Sequence, residues 1–139
     1  MLHVSGEGKR LHPWSFEWLS RSGPNECVAV AGDGVPNFRP RADVRVHSKP
    51  RVVFHKRQRP HDIRALASHQ RSDDGDLANA RKLPVRLRAR ERDGPPVWVA
   101  IMDVTVRHRL FVDVTAHWRD EDGCGRDQNA SWDFGLKHD

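Results

Sequence analysis

Tyrosine is absent from this 139-residue sequence, and isoleucine and methionine occur only twice each. Hydrophobic residues make up 37% of the chain and aromatic residues 7%, whereas charged residues make up 31%. A chain of this length is about one domain long, but so little apolar material indicates a small core with extended or irregular parts. The composition therefore argues against dense packing of the whole chain.

Long apolar runs are also missing. No segment approaches the roughly 20 apolar residues that a membrane-spanning helix requires. The opening MLHVSGEGKRLHPW has neither the apolar stretch nor the small-residue cleavage site of a secretory signal. We therefore expect a cytoplasmic protein that makes no contact with membranes.

Cysteine is scarce, since Cys27 and Cys124 are the only two. Cys27 lies in a short apolar segment, and Cys124 stands between two glycines. Neither belongs to the paired spacing that is typical of a zinc site. For a cytoplasmic protein we expect two reduced thiols, and a disulfide between them is the alternative.

Catalytic motifs are missing too. Gly32-Asp33-Gly34 is too short for a dinucleotide-binding loop, and no nucleophile motif occurs. Nine histidines suggest metal binding, but His61 and His69 are spaced so that a helix would hold them well apart. Asp103 and Asp113 would lie opposite each other across a predicted hairpin, but they would flank its turn, where solvent is the default surrounding and acid-base chemistry has no support. The sequence predicts no enzyme, no cofactor and no metal site.

Arginine is what the sequence has in excess. Residues 39–71 contain ten Lys and Arg against two Asp, residues 81–92 contain six against one Glu, and residues 111–139 contain three against seven Asp and Glu. Such basic segments bind phosphates with salt-dependent, sequence-independent affinity, and the alternative is a solvated surface neutralised by the acidic end of the chain. The candidate contact residues, for nucleic acid or a protein partner, are Arg45, Lys49, Arg51, Lys56, Arg57, Arg59, Arg86, Arg88 and Arg90.

The pattern of apolar residues predicts a mainly β fold of the α+β kind: a small antiparallel sheet of short strands, one short helix and partly irregular ends. Short strands are predicted at residues 14–18, 27–31, 44–46 and 52–54. The helix is predicted at 61–71, where Pro60 precedes the segment and Ile63, Leu66 and Ala67 fall at i, i+3 and i+4.

The second half of the chain alternates more regularly. Residues 83–92 alternate apolar residues with arginine, which is typical of an edge strand. Two alternating runs around Arg107-His108-Arg109 predict a hairpin. Along the chain we thus predict a polar leader at 1–13, a β-rich module with the short helix at 14–75, an Arg-rich connector or edge strand at 76–96, a β-hairpin at 97–118 and an acidic irregular tail at 119–139.

Part of the predicted module also resembles a known family. WLSRSGPNECVAVA at 18–31, VRVHSKP at 44–50, VVF at 52–54 and DIRALA at 62–67 follow one another in order. In this order they resemble the actinobacterial family called domain of unknown function 397. That family has a Trp and a Ser-rich turn followed by a Cys-Val-Glu-Val-Ala strand, then a Val-Arg-Asp-Ser-Lys segment, an apolar strand ending in Phe and a short helix. The chain departs from that pattern at Ala29, His47 and Ile63, where the family has Glu, Asp and Trp.

This resemblance implies a small β-rich module that acts with helix-turn-helix regulators. It implies core positions for Trp18 and Cys27 and turn positions for Ser48 and Lys49. We therefore expect a non-enzymatic regulatory or interaction module that works with a helix-turn-helix transcriptional regulator. Direct nucleic-acid binding through residues 39–71 and 81–92 is the alternative.

A further alternative is a shifted or marginal reading frame of GC-rich DNA. Abundant Arg, Asp, Pro, Val and His without Tyr is the composition that such a frame produces. The sustained alternation at 97–106 and 110–114 argues against it, because random sequence seldom keeps a period of two for so long.

Overall fold

The computed structural model describes residues 2–4, 9–11, 15–24, 26–33, 43–46, 49–54, 58–71, 76–90, 97–120, 124 and 127–138. All regular elements in these residues are β-strands, so the prediction of a mainly β fold is confirmed. The strands are β1 (Leu2–Val4), β2 (Lys9–Leu11), β3 (Ser15–Gly23), β4 (Glu26–Asp33), β5 (Asp43–Val46), β6 (Arg51–Phe54), β7 (Asp62–Ser68), β8 (Gln70–Arg71), β9 (Leu77–Ala78), β10 (Arg81–Leu83), β11 (Val85–Arg90), β12 (Val97–Met102), β13 (Leu110–Trp118) and β14 (Gln128–His138).

Most of these strands belong to two sheets. The five-stranded sheet has the order β11-β12-β6-β1-β2, and each neighbouring pair is antiparallel. The seven-stranded sheet has the order β10-β7-β13-β14-β3-β4, with β5 parallel to the end of β14. Strands β8 and β9 pair with each other. Because β1 and β2 belong to the first sheet, the predicted polar leader contributes strands rather than preceding the fold.

The two sheets share one hydrophobic core. Along β13 every second residue from Leu110 to Trp118 is buried, as expected for a strand with one face in the core. At its centre the rings of Phe54, Trp118 and Trp132 meet edge to face, with centroids 5.7 to 6.5 Å apart. Phe54 belongs to the five-stranded sheet and the two tryptophans to the other, so this aromatic cluster joins the sheets.

Residues 61–71 do not form the predicted helix. Asp62–Ser68 is strand β7, which pairs with β13 on one side and β10 on the other. Ala65 and Ala67 are buried, whereas Leu66, a member of the predicted helical stripe, is 41% exposed. A period of two fits the same residues, and hydrogen bonds to two neighbouring strands outweigh the marginal stability of a short helix. The helix prediction is wrong.

Residues 97–118 do not form the predicted hairpin. Val97–Met102 pairs with β11 and β6, whereas Leu110–Trp118 pairs with β7 and β14 in the other sheet. The connection between them crosses from one sheet to the other and buries Val104 and Val106 in the core. Two alternating strands can pair side by side in one sheet or pack face to face in two sheets. The alternation of these two strands therefore does not specify which strand each one pairs with.

The end of the chain forms a strand rather than the predicted acidic irregular tail. Gln128–His138 is β14, which lies between β13 on one side and strands β3 and β5 on the other. Its inward residues Ala130, Trp132, Phe134 and Leu136 are all buried. These residues alternate with Ser131, Asp133 and Gly135, which is itself the pattern of a strand, so the prediction of an irregular tail rests too heavily on the acidic and glycine residues of this segment.

Cys27 and Cys124 form a disulfide, with 5.8 Å between their Cα atoms and a sequence separation of 97. The expectation of two reduced thiols is therefore wrong, because folding brings together residues that are distant in sequence. Cys27 is exposed on β4, so it is not the core residue that the family resemblance implies. Ser48 and the side chain of Trp18 lie outside the described residues.

Candidate nucleic-acid interface

Four of the candidate arginines lie on one side of the five-stranded sheet. Arg86, Arg88 and Arg90 are alternate residues of the edge strand β11. Arg86 pairs with Ile101 of β12, and Ile101 pairs with Arg51 of β6, so the three residues lie in one line across the sheet. Residues in line across antiparallel strands share a face, and the opposite face holds the core. We call Arg51, Arg86, Arg88 and Arg90 the arginine face.

The spacing within the arginine face is regular. Alternate residues of one strand are about 6.8 Å apart, and residues two strands apart are separated by about 9.6 Å. Arg51, Arg86 and Arg88 are exposed, and Arg90 is half-buried. The sheet thus fixes the spacing of the Cα atoms from which four guanidinium groups extend, and each guanidinium presents planar donors that suit phosphate oxygens.

An apolar floor lies between these arginines. Val99 and Ile101 belong to the same face, yet they are only 3% and 8% exposed. Arginine commonly packs its methylene groups over apolar neighbours while its charged end stays in water. The arginine face therefore combines an apolar base with charged ends, which is suited to a ligand that presents phosphates.

Lys49 is close to this face but is paired with an acid. Its Nζ is 2.6 Å from Oδ1 of Asp103, and both side chains are exposed. The hydrogen bond and charge of Lys49 lower the pKa of Asp103, and the charge of Arg86 lowers it further. Asp103 therefore stays ionised and offsets part of the positive charge at this end of the arginine face.

The remaining candidate residues are not brought to the arginine face. Arg45 is exposed on β5, in register with Lys137 of the seven-stranded sheet. Arg59 is exposed, and its guanidinium carbon lies 5.2 Å from the centre of the Trp98 ring. Lys56 and Arg57 lie outside the described residues.

The carboxylates pair differently from the sequence prediction. Asp103 and Asp113 are not opposite each other, because Asp113 lies opposite Asp133 on β14. Burial raises the pKa of Asp113 to about 6, and the charge of Asp133 raises it further, whereas the charge of Arg71 opposes this shift. The sequence does not predict the group that Asp113 forms with Asp133 and Arg71, because it depends on the register between β13 and β14.

Other kinds of site receive no support from the described residues. Within these ranges no three His, Cys, Asp or Glu side chains are grouped closely enough to hold a metal ion. The same residues include no helix that is long and apolar enough to cross a membrane. Comparison with protein-family models, with curated proteins and with solved structures finds no match for this chain.

Proposed function

We propose that this protein is a non-enzymatic module that binds nucleic acid, without sequence preference, through the arginine face. The observation that supports this proposal is that four arginines from two strands share one face of the five-stranded sheet. Arginine contacts with phosphates release condensed counterions, so they add affinity that depends on salt and little on base sequence. The small aromatic content, 7% of residues, fits backbone contact better than stacking on bases.

The test is the salt dependence of binding to a labelled oligonucleotide, measured by fluorescence anisotropy between 50 and 200 mM salt. We expect Arg86→Gln/Arg88→Gln/Arg90→Gln to weaken binding and to reduce the slope of log K against log salt by about 2 to 3. The control Arg45→Gln/Arg64→Gln/Lys137→Gln removes the same charge from the seven-stranded sheet and should leave most of the slope unchanged.

Two results would contradict the proposal. Equal losses in the two triple variants would mean that binding follows net charge and has no defined face. No measurable binding by the unaltered protein at 50 mM salt would exclude this function altogether, because electrostatic affinity is greatest at low salt.

The partnership with a helix-turn-helix regulator stays a prediction, for which the family resemblance is the support. The mainly β fold agrees with that resemblance, whereas the strand at Asp62–Ser68 departs from its helix. Copurification from the native host tests it. If such a regulator is still recovered after nuclease treatment, the two proteins bind each other directly. If nuclease treatment removes it, the association depends on nucleic acid.

The reading-frame hypothesis is addressed by thermal unfolding. One core that draws buried residues from both sheets supports a cooperatively folded protein. We therefore propose a single cooperative transition, measured by circular dichroism. A gradual, featureless change with temperature would favour the shifted frame.

A further inference from the structure

A cationic cavity lies apart from the four residues of the arginine face, where the segment before β7 meets the residue after β13. Its volume is about 400 Å³. The cavity is open to solvent, and its Arg59, His61 and Arg119 side chains are exposed. The cavity is lined by Gln58, Arg59, Pro60, His61 and Arg119.

The segment that forms this cavity is anchored to the core. The indole N–H of Trp118 donates to the carbonyl oxygen of Gln58 at 3.2 Å, and the backbone N–H of His61 donates to the carbonyl oxygen of His117 at 2.7 Å. Trp118 is itself fully buried. The lining residues are therefore held by the end of β13 and do not depend on a ligand for their position.

Both arginines of the cavity are held in place by neighbours. The Arg59 guanidinium lies over the ring of Trp98, which packs against the core. The side-chain amide of Gln58 donates to the backbone carbonyl of Arg119 at 2.6 Å. The Arg59 guanidinium is thus oriented by Trp98, whereas Gln58 holds the backbone of Arg119, whose guanidinium is oriented by its contact with His61. These contacts lower the entropy that a ligand would lose in ordering the two groups.

The two arginines of the cavity differ from Arg64 and Arg71, which pair with acids. Within the described part of the chain, neither Arg59 nor Arg119 forms an ion pair with a carboxylate. Arg119 instead contacts His61, with Nε donating to Nδ1 at 3.1 Å and Nη2 lying 3.3 Å from Nε2. Each guanidinium has five N–H donors, so most donors of Arg119 remain available to a ligand.

We propose that this cavity binds the phosphoryl group of a phosphate monoester or of free phosphate. Planar guanidinium groups bind phosphate with two parallel hydrogen bonds, so the donors of Arg59 and those of Arg119 that do not face His61 are the groups expected to hold it. The proposal does not depend on the arginine face, because none of the five lining residues belongs to that face.

The experiment is calorimetric titration of the full chain with inorganic phosphate in a phosphate-free buffer. We expect saturable binding, and we expect Arg119→Gln and Arg59→Gln each to lower the association constant by about tenfold or more. Arg119→Lys keeps the charge but loses the planar donors, so its affinity should fall between those of Arg119→Gln and the unaltered protein. Lys82→Gln removes one exposed charge from β10, away from the residues that line the cavity, and should leave phosphate binding unchanged.

A second titration identifies the source of the phosphoryl group. The same oligonucleotide is compared with and without a 5′-phosphate. A gain in affinity from the 5′-phosphate that Arg119→Gln abolishes would support the cavity as a site for nucleic-acid ends. Binding of inorganic phosphate without that gain would support it as a site for free phosphate or a small ester.

The outcomes that overturn the proposal are separate from those that overturn nucleic-acid binding. Lack of phosphate binding by the unaltered protein at millimolar concentration would exclude the site. Binding that persists unchanged in both Arg59→Gln and Arg119→Gln would place it elsewhere. Cooperative thermal unfolding of each variant is the control for folding, and the arginine-face variants show whether any loss of oligonucleotide affinity arises from the other surface.

Discussion

Arg71 and Asp133 form a buried ion pair between residues 62 positions apart in sequence. Nη2 of Arg71 lies 2.7 Å from Oδ2 of Asp133, and their side chains are 5% and 2% exposed. Arg71 belongs to β8 and Asp133 to β14, so the pair ties the small two-stranded sheet to the seven-stranded one. Asp113 lies in register beside Asp133, which makes this the most concentrated group of buried charge among the described residues.

Removing one partner of this pair should be costly. Arg71→Met leaves the buried Asp133 carboxylate without this cation, and we expect the free energy of unfolding to fall by about 3–5 kcal/mol in urea denaturation. Arg71→Met/Asp133→Asn removes both charges and should recover a substantial part of the loss. A double variant as unstable as the single one would show that the charge of Asp133 is not what makes Arg71→Met destabilising.

The pKa of Asp113 predicts a specific pH dependence of stability. Burial and the charge of Asp133 raise its pKa from 3.8 to about 6. The folded protein therefore binds more protons than the unfolded chain between these pH values, and stability falls as pH rises through that window. Asp113→Asn removes the effect, so at pH 8 it should be more stable than the unaltered protein by about 1–2 kcal/mol, after discounting for partial exposure. Urea denaturation at several pH values measures the difference.

Asp103→Asn is the matched control, because the pKa of Asp103 is lowered whereas that of Asp113 is raised. Lys49 lowers the pKa of Asp103, so the stabilisation from this pair is present above the unfolded pKa and is lost as pH falls. The difference between the unaltered protein and Asp103→Asn should therefore shrink below pH 3.8. It should also shrink in high salt, since both side chains are exposed. The same pH trend in both Asp variants would contradict the assignment of either carboxylate.

The disulfide should contribute strongly to stability. Cys27 and Cys124 have a sequence separation of 97, and a cross-link over so long a loop destabilises the unfolded chain by about 4–5 kcal/mol in the chain-entropy account. We expect Cys27→Ser/Cys124→Ser, or reduction of the unaltered protein, to lower the free energy of unfolding by about 2–5 kcal/mol. Reductant should have no effect on the double variant, which provides the control.

The redox state in the cell bears on location as well. Disulfides persist in oxidising compartments, whereas cytoplasmic thiols are normally kept reduced, so the Cys27–Cys124 bond and the expected cytoplasmic location oppose each other. Alkylation of free thiols at the moment of cell lysis, followed by mass spectrometry, shows whether the two cysteines are reduced or disulfide-bonded in the cell. Recovery of unmodified, linked Cys27 and Cys124 peptides would argue against the cytoplasm.

The two core tryptophans should respond differently to the same substitution. Nε1 of Trp118 donates to the carbonyl oxygen of Gln58, whereas Nε1 of Trp132 has no hydrogen-bond partner among the described residues. Trp118→Phe leaves the carbonyl oxygen of the half-buried Gln58 without this donor, while Trp132→Phe removes an unsatisfied donor. With similar losses of volume, Trp118→Phe should be the more destabilising by about 1–2 kcal/mol. Equal effects in chemical denaturation would mean that only ring volume matters at both positions.

Some parts of the site follow from local sequence, and others do not. Alternation alone places Arg86, Arg88 and Arg90 on one side of a strand, whatever that strand pairs with. Arg51 joins them only through the register of β11, β12 and β6, which no local pattern specifies. Arg119 went unnoticed for a similar reason, since its nearness to Arg59 and His61 depends on where β13 ends relative to β7.

The sequence by itself determined the mainly β class, because a period of two in apolar residues reflects side-chain direction within a strand and needs no knowledge of its partners. Only the tertiary structure decided that Asp62–Ser68 is a strand, that Val97–Met102 and Leu110–Trp118 belong to different sheets, and that Gln128–His138 lies inside one of them. The physical reason is that backbone hydrogen bonds between strands and burial between sheets depend on residues far apart in the chain. Their free energy outweighs local preference wherever the local signal is short or mixed.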